Sequence, residues 1–296
     1  MEHNRIIHKF VEGLKQPSKE KLVVDGSING QAIKDALRLG FPDITPRTMD
    51  RKGWKEENLP EFKALPDALF IFPTEVAGKS FGQLIIDWFE NNHHDWENDF
   101  EKMHGIACRT VMNFLLTQKY RESDCTYGKA QKVVNMTFKH IYCLSDGKKR
   151  EWFQPCHMAL DYFTLEWFKR DVAGFGERMP EGKVDNWSAL NNPKEDEYLG
   201  KENKRYYSYH KLVSEIQQYF REKKPYGDLC PLEAEFYIWP DIQLRLCAEN
   251  LIYQLDSKNY GGNTGTVREK KKKLKKMPID SLLSQVGKTI EDFCAE

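Results

Sequence analysis

The sequence predicts a mainly α fold: a helical body, a small N-terminal α/β module in front of it and a tethered C-terminal helix behind. Three observations lead there. Apolar residues recur at helical spacing through most of the chain between residues 80 and 256. Short apolar runs bounded by Gly and Pro, the signature of strands, fall within the first 75 residues. A Gly-rich stretch, NYGGNTGT at 259–266, then separates the body from a last amphipathic segment. The expected layout is a module over 1–76, a helical body over 77–256, and a linker, basic arm and helix over 257–296.

In the module, Ile6, Ile7, Phe10 and Leu14 have helical spacing and Pro17 ends that helix. LVV at 22–24 and ALFIF at 68–72 read as strands. Between them GQAIKDALRLGFPDITPRTMDR reads as a helix, a turn, and a second helix from Thr45 with Pro46 at its first position. That is either a helix-turn-helix presenting Arg47 and Arg51 to nucleic acid or an ordinary pair of packed helices.

The body opens on Ser80 and Gln83, a capping box ahead of LIIDWF. Trp96, Phe100, Met103, Ala107, Val111 and Phe114 form one long buried stripe. A helix from about Tyr127 to Leu144 turns Ala130, Val133, Val134, Phe138 and Ile141 inward, and another, from about His157 to Arg170, is apolar over most of its circumference. Residues 174–200 read as a long loop, followed by helices over about 202–223 and 231–256, the latter bent or divided at Pro240. Ile279, Leu282, Leu283, Val286, Ile290 and Phe293 share one face of the closing helix, which docks on the body or on a partner.

Composition bounds the function. The 296 residues are 40% hydrophobic with 17 Phe, 13 Tyr and 7 Trp, enough for a large packed core. Lys plus Arg and Asp plus Glu number 45 each, which excludes a wholesale electrostatic sponge for nucleic acid but leaves room for a local basic patch. The seven cysteines are widely spaced, odd in number and free of any CxxC, the pattern of thiols in a reducing compartment. The N-terminus reads as no signal peptide, and no run of 18 apolar residues occurs, so the expected location is the cytoplasm. GxSxG, P-loop and GxGxxG motifs are missing from the sequence, which disfavours the corresponding hydrolases and nucleotide folds.

The chemistry-bearing stretch runs from Tyr127 to Trp167. On its first helix Lys129, Lys132 and Lys139 lie within about a quarter turn of one another with His140 beside them, a basic stripe over a greasy back. On the second, Asp161 stands among Met, Ala, Leu, Tyr and Phe, one turn after His157. A carboxylate on an apolar helix opposed by lysines is either a structural ion pair or a site of perturbed acidity. Trp152, Phe153, Tyr162 and Trp167 are near in sequence and could line a pocket there or simply be core.

Gly128-Lys129 opening an apolar helix, followed after a short connection by Leu160-Asp161, resembles the helix-hairpin-helix DNA glycosylases. The resemblance covers about 40 residues. It implies that Lys129 is an amine nucleophile, with Lys132 as the alternative, and Asp161 its carboxylate partner, the target base leaving the stack for an aromatic-lined pocket. His157, Trp152, Tyr162, Lys139 and His140 would then contact the substrate, DNA rather than RNA. The sequence departs from that family in its hairpin, of which Tyr127-Gly128 alone remains, and in a longer Lys-to-Asp spacing. The GKAQK…NM…K and PxHxxxD pattern also resembles a group of uncharacterised bacterial proteins.

Two other constellations compete. RYYSYH at 205–210 resembles the short motif of HEPN-type ribonucleases, in which Arg205 and His210 would hold the scissile phosphate. His93, His94, Asp95 and His104 cluster but lack the paired spacing of a zinc site, so neither metal nor cofactor is expected. Lys270, Lys271, Lys272 and Lys273, with Lys275 and Lys276, make a basic arm suited to phosphate contacts or merely to solvation. The expected function is that of a nucleic-acid-acting protein, with a glycosylase or lyase site as what the resemblance implies. The alternative is a non-catalytic module that binds nucleic acid or protein.

Overall fold

The computed structural model describes residues 21–44, 59–91, 93, 95–145, 149–174, 187–190, 208–259, 269 and 273–295. The fold is mainly helical with a single two-stranded sheet among these residues. The chain divides into two compact units, Met1–Leu165 with Pro180–Phe236, and Glu166–Met179 with Tyr237–Glu296. The expected first helix, the helix from Thr45 and both of its arginines, Arg47 and Arg51, lie outside the described residues.

In the first unit β1 (Val23–Val24) pairs antiparallel with β2 (Ser27–Ile28), Val23 opposite Ile28. Asp25 and Gly26 turn the hairpin at φ 51° and 83°, the doubly left-handed turn that Asp-Gly favours. Asn29 then caps α1 (Gly30–Gly40), its side chain accepting from the Gln31 amide at 3.0 Å. The run at 68–72 is not the expected strand: its first three residues end α2 (Leu59–Phe70) and the other two lead out of it. Leu65 and Leu69, both buried and one turn apart, give that run a helical inner face, which a window of five apolar residues cannot reveal. Ser80 caps α3 (Phe81–Glu90) as expected, accepting from Gln83 N at 3.2 Å, although the Gln83 side chain turns to Asp87 instead of closing the box.

The stripe predicted on α4 (Trp96–Thr117) is buried from Phe100 to Phe114. It packs on α5 (Tyr127–Leu144), where Phe100 meets the Phe138 ring edge-on at 5.4 Å. Helix α5 is the centre of the unit. Its span matches the expected one, but its polar face does not look out to water: Lys129, Gln131, Asn135, Thr137, Lys139 and His140 are all buried. The basic stripe is therefore an internal one, and the reason is the set of partners described below.

No helix begins at His157. Residues 156–160 are buried without regular structure, and α6 (Tyr162–Trp167) starts after Asp161, passing into a π-helical turn at Phe168–Val172. Helix α7 (Tyr209–Lys223) completes the unit, and α8 (Pro231–Asn259) runs on from it into the second unit. Pro240 does not divide α8, which continues through the hydrogen bond that proline removes.

In the second unit the closing helix α9 (Ile279–Ala295) docks on the C-terminal half of α8. Ala248, Ile252, Leu274 and Leu282 form the cluster, with Met277, Ile279 and Val286 against it. A bidentate pair between Arg170 and Glu249, at 2.6 and 3.1 Å, ties the turn after α6 to α8. Among the described cysteines five are buried and Cys247 is exposed. No helix of the described residues is long and apolar enough to cross a membrane.

Gly128 is needed at the head of α5 because Trp187–Ala189 lies directly on it. A Cβ there would collide with the Trp187 carbonyl oxygen and press on Leu190 N at 3.1 Å, and Gly128 N itself donates to Leu190 O at 3.0 Å. Gly128→Ala should lower unfolding free energy by about 2 kcal/mol, read as a fall in urea midpoint; an unchanged midpoint would mean the 187–190 turn does not rest on α5.

Candidate functional site

The site is built on the segment 156–161, which is buried as far as Leu160. A loop inside a protein must find partners for each backbone N–H and C=O, because water cannot reach them. Here side chains supply them. Gln131 of α5 donates to Leu160 O at 2.8 Å and accepts from Leu160 N at 3.2 Å, serving both groups of one residue. Asn135, one turn on, donates to Met158 O at 3.0 Å. Glu235 accepts from Ala159 N at 2.8 Å and Thr164 donates to Ala159 O at 2.9 Å. Lys139 pairs with the other oxygen of Glu235 at 2.7 Å, both side chains at 5% exposure or less. Burial pushes the Glu235 carboxyl above its ordinary range, against the pull of Lys139.

From the same amides a polar chain crosses the core. Asn135 donates to the Tyr209 hydroxyl at 2.9 Å, so its Oδ1 is left to accept from His104 Nε2 at 2.9 Å. Tyr209 Oη lies 2.8 Å from His157 Nδ1, and His157 Nε2 sits 2.9 Å from Glu101 Oε1, close but misaligned for a hydrogen bond. His210 Nδ1 approaches the other carboxylate oxygen at 3.5 Å. The Tyr209 and His104 rings stack with centroids 5.5 Å apart. Thus α4, α5, α7 and the buried segment meet at one cluster, whose outer end, Glu101 and His210, is about one-third exposed. Burial holds His104 down to about 3. Burial opposes ionisation of Glu101, but the His157 imidazole, with His104 and His210 beyond it, outweighs that and brings its carboxyl to about 2.

The segment delivers Asp161 to its far end. Asp161 Oδ1 accepts from the Phe163 and Thr164 amides at 2.9 and 3.0 Å, so the carboxylate caps α6 instead of standing inside an apolar helix. Its Oδ2 lies 3.8 Å from Lys132 Nζ, each side chain 13% exposed. The Lys132 ammonium also sits over the half-buried Trp187 ring, 4.7 Å from its centroid.

The expected site residues therefore part company. Lys129 is 3% exposed and its ammonium pairs with Asp124 at 2.8 Å; it is Lys132 that meets Asp161. His157 does not contact Asp161 across a helical turn, because that stretch is not helical, and instead enters the core cluster. Lys139 and His140 are buried in the helix centre, His140 held down to about 3 by burial with Lys139 adding to it. Trp152 packs edge-on against Phe89 at 5.4 Å, while Tyr162 is half-exposed beside Asp161. Of the ribonuclease pair, His210 faces Glu101 and Arg205 lies outside the described residues, as do Lys270, Lys271 and Lys272; Lys273 is exposed. Sequence reasoning missed Glu101, Gln131, Asn135, Tyr209 and Glu235. The one available signal was the pair of amides Gln131 and Asn135, a turn apart on a helix whose other side is apolar.

The buried imidazoles set the acid response. The unfolded chain binds a proton at His104 below about pH 6.5, whereas the folded chain refuses it until about pH 3, so stability falls as pH drops through that window. His140 acts with the same sign, and Glu101 adds a loss below its ordinary 4.5. Urea midpoints measured from pH 7 to pH 4 should fall steadily, and His104→Gln should flatten the fall; an equal slope in the variant would show that His104 does not remain neutral.

Compared with known proteins, the chain matches no family model, no curated protein and no solved structure.

Proposed function

We propose that this chain acts on nucleic acid and removes a base from DNA through an amine–carboxylate pair formed by Lys132 and Asp161. The observation that carries the reading is their approach at 3.8 Å beside the Trp187 ring, with 13% of each side chain exposed. It keeps the chemistry that the glycosylase resemblance implies and moves the amine from Lys129 to Lys132, because Lys129 is buried against Asp124. DNA is the substrate class that the same resemblance supports.

The steps follow from the groups present. A lysine is a nucleophile only when neutral, and Asp161 stands within a side-chain rotation of taking its proton. The target nucleotide leaves the stack and its base lies on Trp187. The Lys132 nitrogen attacks C1′ as the glycosidic bond breaks, the bond's electron pair departs with the base, and the base collects the proton held by Asp161. The nitrogen then carries two protons; transfer of one of them to the ring oxygen opens the sugar and leaves a protonated imine between C1′ and Lys132, its charge balanced by the Asp161 carboxylate. Asp161 is suited to a repeated proton exchange because its other oxygen is fixed by two amides, so the carboxyl does not swing away.

Borohydride reduces such an imine to a stable link. Incubation with abasic, uracil-containing or oxidised-purine DNA in its presence should give a covalent adduct that Lys132→Ala abolishes and Lys129→Ala retains. Asp161→Asn should slow its formation by roughly a hundredfold or more. An adduct that survives Lys132→Ala, or none on any of these DNAs, would refute the assignment.

A further inference from the structure

One cavity of the first unit lies away from the residues of that pair. A cavity of about 490 Å³ opens between the β1 hairpin strand, the C-terminal end of α5 and the turn that carries Trp152. Its volume is within the range of pockets that hold small ligands, roughly 300–1,000 Å³. Leu22, Val23 and Leu144 make the apolar part of its wall, and the Trp152 indole supplies a flat aromatic face. That ring is fixed from behind by its edge-on contact with Phe89, and the Trp152 backbone is pinned on both sides: its N donates to Lys149 O at 3.0 Å and its O accepts from Trp88 Nε1 at 3.3 Å. The aromatic face is thus preformed.

The polar members share one sign. Lys21 and Lys149 flank the cavity, and Ser145 adds a hydroxyl; the Lys149 ammonium stands over the Trp152 ring, 5.4 Å from its centroid, and its flexible stem swings aside to meet a phosphate when a base takes that face. Among the described residues no carboxylate lines this cavity and neither ammonium has a carboxylate partner. Lys149 is held in place by its backbone, a left-handed residue at φ 56° that begins the turn leading to Trp152. The larger cavity of the same unit, about 590 Å³ beside α7, differs on this point: Glu97, Glu151 and Asp228 line it along with Arg221 and Lys224, so its charges largely cancel.

An apolar slot with one aromatic wall and two lysines that have no carboxylate partner among the described residues selects a flat ring that carries negative charge. The geometry points to a nucleotide site: a nucleobase stacked on Trp152, with its phosphate between Lys21 and Lys149. Stacking on an aromatic side chain tolerates any base, since every base presents a π face, while a phosphate needs the paired lysines. The same chemistry arrives either as a free mononucleotide or as one unit of a single strand. This site does not depend on the Lys132–Asp161 reading, because neither residue lines it.

Titration of the full chain with adenosine monophosphate, followed by calorimetry and by tryptophan fluorescence, tests it. Binding should be seen at up to millimolar ligand, and adenosine and inorganic phosphate should each bind at least roughly tenfold more weakly. Lys21→Ala and Lys149→Ala should each weaken adenosine monophosphate by about tenfold, and Trp152→Leu by a similar factor while Trp152→Phe retains binding. A short oligodeoxyadenylate run in parallel distinguishes the sources: binding of the oligomer alone, lost in the same variants, assigns the site to a strand, and binding of the mononucleotide assigns it to a free ligand. Equal affinity for adenosine and its monophosphate, indifference to both lysine substitutions, or no binding of either ligand would overturn the proposal.

Discussion

The first unit depends on hydrogen bonds from side chains to a backbone that has no secondary structure. Residues 156–160 run through the interior, where an unmet donor or acceptor costs about 1–3 kcal/mol. Gln131, Asn135, Thr164 and Glu235 meet the peptide groups of Met158, Ala159 and Leu160 one by one. This explains why so polar a helix as α5 is buried. Its amides and Lys139 do not seek water; they substitute for the ladder that the neighbouring segment lacks.

Two consequences follow for the site. The carboxylate of Asp161 is placed by a chain of fixed groups: α5 holds the segment, the segment ends on Asp161, and Asp161 caps α6. Lys132 comes from the same α5 helix, so both partners of the contact are referred to one rigid element. The cluster of Glu101, His157, Tyr209, Asn135 and His104 fastens the same segment at its other end to α4 and α7. Both ends of a stretch without regular structure are thereby tied to helices.

Much of the fold was legible in the sequence, because helical periodicity is local. The span of α5, the stripe on α4, the Ser80 cap and the amphipathic closing helix all follow from spacing and side-chain type. The failures share a cause. Leu65, Leu69 and their neighbours looked like a strand because a short apolar run carries no period. His157–Leu160 looked helical because its residues are apolar, and its real conformation is set by Gln131, Asn135 and Glu235, up to 76 residues distant in sequence. The burial of the α5 basic stripe was not legible for the same reason: Asp124, Asp161 and Glu235, which pair with its lysines, lie elsewhere in the chain. Of the two residues in the Lys132–Asp161 contact, the sequence pointed to Asp161 and held Lys132 only as the alternative to Lys129, since one turn of a helix separates the two lysines and only packing decides which is buried.

Amide hydrogen exchange at Ala159 and Leu160 tests this account most directly. If side chains of α5 and α8 hold that backbone, both amides should exchange no faster than the protected amides of the α5 interior, opening only with the whole unit. Exchange at the rate of an exposed loop would contradict it.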